Sequence, residues 1–514
     1  MDKNEMFKKV RFDILSTAEM RELDRAEKEN SIEKGYALMQ AAGKAIFEKL
    51  CSLLEKGKLK KGEVFVFVGS GNNGGDGLVL AKLLLEKNIR VKVYCVKNPE
   101  DLKNEAALAY KDFKEIGGVC SLYSNEEKIN FNNASIIVDA LLGLGALGEL
   151  KENYKKLVAV LSKSNMPVLA IDCPTSPLKA TYTLVLGFCR NEMFEKESLK
   201  YYGDWEIAPL PYSQKNIEKF TKNIFGIREK EIGLLLPIRN EWGDKRDQGT
   251  GLLISGFLGM IGASALCAKA ALRSGIGLLS MAMPESLYPV YAMKLDEPVM
   301  LPYEDFQKGC LQIQNVNELE SYLKHQKALA IGPGLSCKKD VVEFVQHFIP
   351  KVSIPMVLDA DALNAFSGKS ELLKNLNASA IITPHIREWE RLFGKMPEQA
   401  EAKRKRLQEI AQTYHLTIIL KGPISYVALQ NGDVYRIGLP NSGMAKGGSG
   451  DVLTGILLAL LASGLSVEKT ALLGTWIHYK AGCLAKEKWG VYSMLPSDVV
   501  EFLPQVFHEL DQDF

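Results

Sequence analysis

Two α/β domains in series are the fold class that this 514-residue sequence predicts, and three observations carry the prediction. All-apolar runs such as VFVFV (64–68) read as strands buried on both faces, as the centre of a parallel sheet requires. These runs open repeatedly into Gly-rich turns and then helices, the pattern of βαβ units. Between Asp204 and Lys222 the pattern turns polar and irregular, then restarts at GTGLLISG (249–256). The boundary therefore falls near 225–240, giving domains 1–225 and 236–514, each long enough for its own core.

Composition narrows the function. A net charge of +2 gives no electrostatic footprint for nucleic acid, and no basic helix marks a membrane surface. The longest apolar run, Ile456 to Ala462, is too short to span a bilayer, and MDKNEMFKKVRFDIL lacks the apolar core of a signal peptide. Nine scattered Cys without a CxxC pair fit reduced thiols, so neither disulfides nor zinc are expected. Small-molecule chemistry in the cytoplasm is the expectation, with no nucleic-acid or membrane partner.

In chain order, Ser16-Thr17 ahead of Glu19 introduces Met20, Leu23 and Ala26, then Leu38, Met39, Ala42 and Ile46, all at helical spacing. Two amphipathic helices thus precede the first strand. That strand runs into GSGNNGGDG (69–77), with a helix expected from Leu78 to Glu86. The turn satisfies G-x-G-x-x-G through Gly69, Gly71 and Gly74, which brings a NAD-dependent oxidoreductase into consideration. The next strand, VKVYCVKN (91–98), lacks the acidic end that would hold a ribose. Asn72, Asn73 and Asp76 add polar groups that a glycine cradle does not need, which points to specific recognition or a bound cation. Strands Ser135–Val138 and Pro167–Ile171 end in Asp139 and Asp172. Ligands bind at the carboxyl ends of parallel strands, so Asn73, Asp139 and Asp172 are expected on one crevice; the alternative is that each Asp only solvates a loop start.

The second half repeats the logic. Leu252–Ser255 leads into a helix carrying Ala263, Ala265, Ala268, Ala270 and Ala271, small residues that allow close packing on a sheet. Further strand ends follow at ALAIGPGLS (328–336), MVLDADALN (356–364), AIITPHIREWE (380–390) and IILKGPISYVAL (418–429). They would bring Gly334, Asp359, Asp361, His385, Lys421 and Asp451 to one sheet edge. The centrepiece is NSGMAKGGSGDVLTGILLA (441–459). Gly447, Gly448, Ser449 and Gly450 form an anion cradle whose backbone N–H groups and helix dipole suit a phosphate. Asp451 is anomalous beside a phosphate unless it accepts a proton from a reacting hydroxyl; the alternative is an N-capping residue.

With both halves in view, the chain resembles the family of bifunctional NAD(P)H-hydrate repair enzymes over nearly its whole length. At the front, STAEMRELDR (16–25), LMQAAG (38–43), GNNGGDGLVLAKLL (71–84), VDALLGLG (138–145) and IDCPTS (171–176) look like the epimerase motifs. At the back, GMIGASALCAKAALRSGIGL, IGPGL, LDADALN, ITPH, LKG and NSGMAKGGSGDVLTG look like those of the ADP-dependent dehydratase. The resemblance implies a Rossmann-like doubly wound domain followed by a ribokinase-like α/β domain.

It further implies a site, residue by residue. In the dehydratase half, Ala263, Gly334, His385 and Asp451 would contact the hydrate. Lys421, Gly422, Pro423, Ile424, Ser425, Gly447, Gly448, Ser449 and Gly450 would hold ADP or ATP, with Mg2+ expected beside the nucleotide. Asp451 would act on the hydroxyl of the hydrated ring, which phosphorylation turns into a leaving group. In the epimerase half, Asn72, Asn73, Gly74, Gly75, Asp76, Gly143, Leu144, Gly145, Ala146, Leu147, Gly148, Glu149 and Asp172 would bind the hydrate, Asp172 catalytically. Asn73, Asp139 and Thr175 would match potassium ligands, oxygen donors suited to a hard cation. NADH and NADPH hydrates are the implied substrates, and a homo-oligomer is expected.

The chain departs from the family pattern at named points. Ser176 stands where the family has Gly, the following loop is short, and Cys189-Arg190 stands where a Pro-Lys pair is usual; Ile386-Arg387 replaces Pro-Gly after His385. The competing reading is a small-molecule kinase on the same fold with a front module that only binds ligand. Product analysis separates the two, since a kinase leaves a stable phosphate ester.

Overall fold

A computed structural model describes residues 3–124, 129–143, 149–194, 198–221 and 224–512. The chain forms two compact units, one of Asp13–Lys222 and one that joins Met1–Phe12 to Asn223–Phe514. The first twelve residues thus group with the C-terminal unit, unlike the expected 1–225 division. The reason is local. Arg11 pairs with Asp433 at 2.9 Å and lies 3.7 Å over the Phe225 ring. The strand Arg11–Leu15 to which it belongs has no counterpart in the sequence expectation, which begins with helices.

The N-terminal unit is built on a parallel seven-stranded sheet. From one edge to the other its strands are Cys120–Leu122, Val91–Cys95, Glu63–Val68, Ala134–Ala140, Val168–Ile171, Tyr182–Leu186 and Asp204–Ala208. The order turns back at Glu63–Val68, whose neighbours continue the chain in opposite directions, so the crevice beyond its carboxyl end is a topological switch point. Val64, Val66 and Val68 face one apolar cluster while Phe65 and Phe67 face another. An all-apolar strand is therefore what burial on both faces demands. Cys120–Leu122 and Asp204–Ala208 are short edge strands that the sequence reading leaves unassigned.

The helix after the first sheet strand begins at Asn72, not at Leu78, and runs to Glu86. Glycines usually weaken a helix interior by about 1 kcal/mol each, which is why the motif reads as a loop. Here they are required by contact. A Cβ on Gly75 would lie 2.5 Å from the Met39 thioether, and one on Gly77 would lie 2.6 Å from Ala140 Cβ. Close approach to the sheet and to the helix Ile32–Glu55 presses the polar residues of the first turns against the strand ends.

The C-terminal unit has a mainly parallel sheet, the ribokinase-like α/β arrangement. Its order is Val299–Tyr303, Leu278–Pro284, Thr250–Ile254, Ala328–Ile331, Met356–Leu358, Ala380–Ile382, Thr417–Leu420, Ser425–Ala428, Val434–Ile437 and Ile224–Ile227. Only the pairs around Ser425–Ala428 are antiparallel. The apolar helix Ser449–Ala462 is buried from Val452 to Ala462. It meets the helix Ile261–Arg273 so closely that a Cβ on Gly455 would stand 2.2 Å from the Cys267 carbonyl oxygen. The alanines of the second helix serve that approach. No helix among the described residues is long and apolar enough to cross a membrane.

Candidate functional site

In the N-terminal unit the carboxyl ends of four strands meet a cavity of about 490 Å³. Asn72, Asn73, Asp76, Gly143, Asp172 and Arg190 are among its lining residues. Asn73 donates to the Ile171 carbonyl at 2.9 Å, and a Cβ on Gly143 would meet Asn73 Oδ1 at 2.7 Å. Three strand ends are thereby drawn together; Asn73 and Asp172 line the crevice as expected, but Asp139, expected there too, is fully buried and does not line it. Leu144, Gly145, Ala146, Leu147 and Gly148 lie outside the described residues; Glu149 is described and pairs with Lys155 at 3.1 Å.

Asp139 is fully buried, and its carboxylate accepts from the Thr175 N–H at 2.7 Å, the Thr175 hydroxyl at 2.9 Å and the Leu141 N–H at 3.2 Å. Burial raises its pKa and these donors lower it in part. Among the described residues none of its partners is a Lys or Arg, so a buried carboxylate stands beside a hydroxyl without a cation bonded to it. Together with the Asn73 carboxamide this is an all-oxygen donor set that fits a hard cation.

Asp172 has a left-handed backbone, φ 67°, which swings its side chain into the cavity. Its Oδ1 accepts from Arg190 Nη2 at 2.6 Å and from the Leu186 N–H at 3.3 Å. Arg190 is 3% exposed and also reaches the Asp172 carbonyl at 3.3 Å, while its Nε has no partner among the described residues. The residue that departs from the family pattern is thus the cation that holds the proposed catalytic carboxylate. Asp76 sits opposite under contrasting conditions: burial first, then repulsion from Asp172, push its pKa well above the usual range.

In the C-terminal unit the cradle lies at the start of the helix Ser449–Ala462. Gly448 is its N-cap at φ 105°, a conformation that admits little but glycine. A Cβ on Gly450 would lie 3.2 Å from Lys421 Nζ, so the predicted nucleotide residues of the two loops adjoin. Lys421 to Ser425 cross the hairpin between Thr417–Leu420 and Ser425–Ala428. Gly334, at φ 61°, is equally constrained: a Cβ there would stand 3.2 Å from Ala263 Cβ and 2.8 Å from the Met260 carbonyl oxygen. Ala263 and Gly334 therefore adjoin, as predicted.

Behind the cradle is a network centred on Asp359. Asp359, 1% exposed, accepts from Lys421 Nζ at 2.6 Å, the Thr383 hydroxyl at 2.6 Å and the Thr454 hydroxyl at 2.7 Å. Burial would raise Asp359, but the Lys421 charge and these donors hold it below the carboxylate range. Asp451 has no such partner among the described residues. Burial, with repulsion from Asp359 only partly offset by Lys421, lifts it to about 7. A carboxyl group poised there is suited to taking a proton at neutral pH.

His385 is both a cap and a candidate contact. Its Nδ1 accepts from the Arg387 and Glu388 N–H groups at 3.1 Å, and Glu388 returns a bond to the His385 N–H at 2.8 Å. Nδ1 as acceptor leaves Nε2 as the donor on a ring whose side chain is 47% exposed. His478 is a group that the sequence reading passes over; it meets the backbone of Ser449, and burial lowers it to about 4, so it is neutral. Only its spacing to the cradle through the fold reveals it.

Comparison with known proteins bears on the family. The family model of the NAD(P)H-hydrate dehydratase matches residues 251–505, and that of the YjeF-related protein N-terminus matches residues 35–187. The bifunctional NAD(P)H-hydrate repair enzyme of Moorella thermoacetica is 30% identical, over 97% of this chain and 97% of its own. That of Vibrio cholerae is 31% identical, over 95% and 97%. Among solved structures, the ADP/ATP-dependent NAD(P)H-hydrate dehydratase of Bacillus subtilis, co-crystallised with ATP/Mg2+, is 27% identical and covers 55% of this chain and 97% of its own, with a TM-score of 0.46. The resemblance read from the motifs is borne out, and the chain belongs to the family of bifunctional NAD(P)H-hydrate repair enzymes.

Proposed function

We propose that the two units divide the family's repair chemistry: the N-terminal cavity interconverts the R and S hydrates of NADH and NADPH, and the C-terminal cradle dehydrates the S form with ADP or ATP. The observation that carries the dehydratase assignment is Asp451 at the lip of the cradle, with a pKa of about 7 and no ion pair among the described residues. Asp451 removes the proton from the hydroxyl of the hydrated ring as that oxygen attacks the terminal phosphate of the nucleotide. The cradle N–H groups and Lys421 take the charge that develops on the phosphate. Loss of the resulting phosphate, with the ring nitrogen lone pair pushing, leaves an iminium, and loss of a proton from the adjacent ring carbon then restores the dihydropyridine. Mg2+ with the nucleotide would be held by its phosphates near Asp359 and the cradle, and it supplies charge neutralisation. Ala263, Gly334 and His385 form the wall against which the ring rests.

In the N-terminal cavity the carbon to be inverted bears both the ring nitrogen and the hydroxyl. Asp76, buried and proton-bearing, gives its proton as the hydroxyl leaves as water. Asp172, held by Arg190, takes a proton from the water that adds to the other face. A potassium ion would be held by the oxygen donors of Asn73, Asp139 and Thr175, and it would supply positive charge beside the buried Asp139. The nine free cysteines suit a reducing, cytoplasmic setting, and a homo-oligomer is to be tested by light scattering.

The deciding assay follows the return of dihydronicotinamide absorbance from separated S and R hydrates with ADP or ATP. Recovery from both is expected. Recovery from S alone would remove the epimerase assignment, and recovery from neither, with a stable phosphate ester formed instead, would restore the kinase reading.

A further inference from the structure

Beside the N-terminal cavity lies a second one of about 460 Å³, and Arg21, Asp24, Lys28 and Asn72 line both. The two therefore share a wall. The annex differs in character from its neighbour. Arg21, Arg25 and Lys28 follow one another at i, i+4 and i+7 on the helix Thr17–Lys28, which puts all three on one face. Two acids also line it, but both are engaged. Glu105 is paired with Lys28 at 2.8 Å, and Asp24 accepts from the Tyr212 hydroxyl at 2.7 Å while burial raises its pKa.

Arg25 remains exposed on the annex and has no acidic partner among the described residues. Guanidinium groups offer a planar fork that matches phosphate oxygens in pairs, which an ammonium does not. The shared wall adds to this. Asn72 is the first residue of the helix Asn72–Glu86, where free backbone N–H groups and the helix dipole favour an anion. Cations on one helix and the N-terminus of another thus converge where the two cavities join.

We propose that the annex binds the diphosphate-bearing adenylate half of the dinucleotide while the hydrated nicotinamide half occupies the neighbouring cavity. This rests on reading that cavity as the epimerase site. The annex gives the site a handle remote from the reacting carbon, so that binding of the invariant half positions either epimer without distinguishing between them.

The test compares wild type with Arg25→Glu and Arg25→Lys as full chains. Epimerisation is measured on the hydrates of NADH and of reduced nicotinamide mononucleotide, which lacks the adenylate half. Hydrogen exchange of residues 21–35 is measured with and without NADH. Arg25→Glu is expected to lower kcat/KM for the dinucleotide about ten-fold relative to the mononucleotide, mainly through KM, with Arg25→Lys in between. NADH is expected to slow exchange in the segment in wild type and not in Arg25→Glu. An equal loss on both substrates, or an unchanged ratio with unchanged protection, overturns the annex. Protection that Arg25→Glu abolishes, in a wild type that epimerises neither hydrate, keeps the annex and removes the epimerase reading instead.

Discussion

The two candidate sites place carboxylates at the carboxyl ends of parallel strands or just beyond, yet they treat them in opposite ways. In the N-terminal unit Asp172 is clamped by Arg190 at 2.6 Å. In the C-terminal unit the cation is spent one residue deeper: Lys421 reaches Asp359 at 2.6 Å, leaving Asp451 exposed to burial and to repulsion. Asp172 is held in place by the cation that touches it, whereas Asp451, whose neighbouring cation is spent on Asp359, is suited to accept a proton near neutrality. How firmly each Asp is held is thus set by where the nearest Lys or Arg ends.

The sharpest way to break this contrast is at Asp451. Asp451→Asn is expected to lower dehydration by roughly a thousand-fold, within the range of general-base catalysis, while nucleotide affinity by titration calorimetry stays near wild type because the cradle is backbone. Loss of nucleotide binding in parallel would end that division of labour. A smaller effect is expected on the other side of the comparison. Arg190→Met leaves Asp172 buried without its cation, which costs about 3–5 kcal/mol of stability. Epimerisation of the S and R hydrates should fall by about a hundred-fold, with Arg190→Lys retaining part of both. Unfolding curves that do not move would show that the pair is not what holds this site.

The smallest effect sharpens the contrast by pH. As the proposed base, Asp451 would act only when ionised, and its pKa is raised to about 7. Dehydration kcat/KM should therefore be full above that value and fall as pH drops through it, whereas an unperturbed Asp would place the limb near pH ~4. A profile flat down to pH 5 would mean that another group takes the proton.

The sequence was most legible where chemistry sits at strand ends. Apolar runs announced the strands, and Asn73, Asp139, Asp172, Gly334, His385, Lys421 and Asp451 all fall at or just beyond a strand or helix boundary, where period and punctuation are plain. It was least legible where a residue is explained by something distant in sequence. Gly75 and Gly77 are helical because Met39 and Ala140 leave no room for a side chain. Asp359 is a structural anion because Lys421, Thr383 and Thr454 arrive from three other segments. Arg190 reads as a lost motif until the turn after Tyr182–Leu186 carries it back to Asp172. His385 shows both sides: its strand-end position was visible, while its part in capping the next helix was not.

One feature of the fold bears on how the two activities can be separated in the laboratory. Because Met1–Phe12 group with Asn223–Phe514, the polypeptide leaves the dehydratase unit and later re-enters it. The epimerase unit is therefore an insertion with two tethers, not a head joined by one. A dehydratase made by discarding everything before residue 223 would strip Arg11 from Asp433 and Phe225 and leave the Ile224–Ile227 strand without its N-terminal strap. A clean excision keeps that first segment and bridges the gap from 12 to 224 with a short flexible linker, so that what is removed is one gene cassette and what remains is whole.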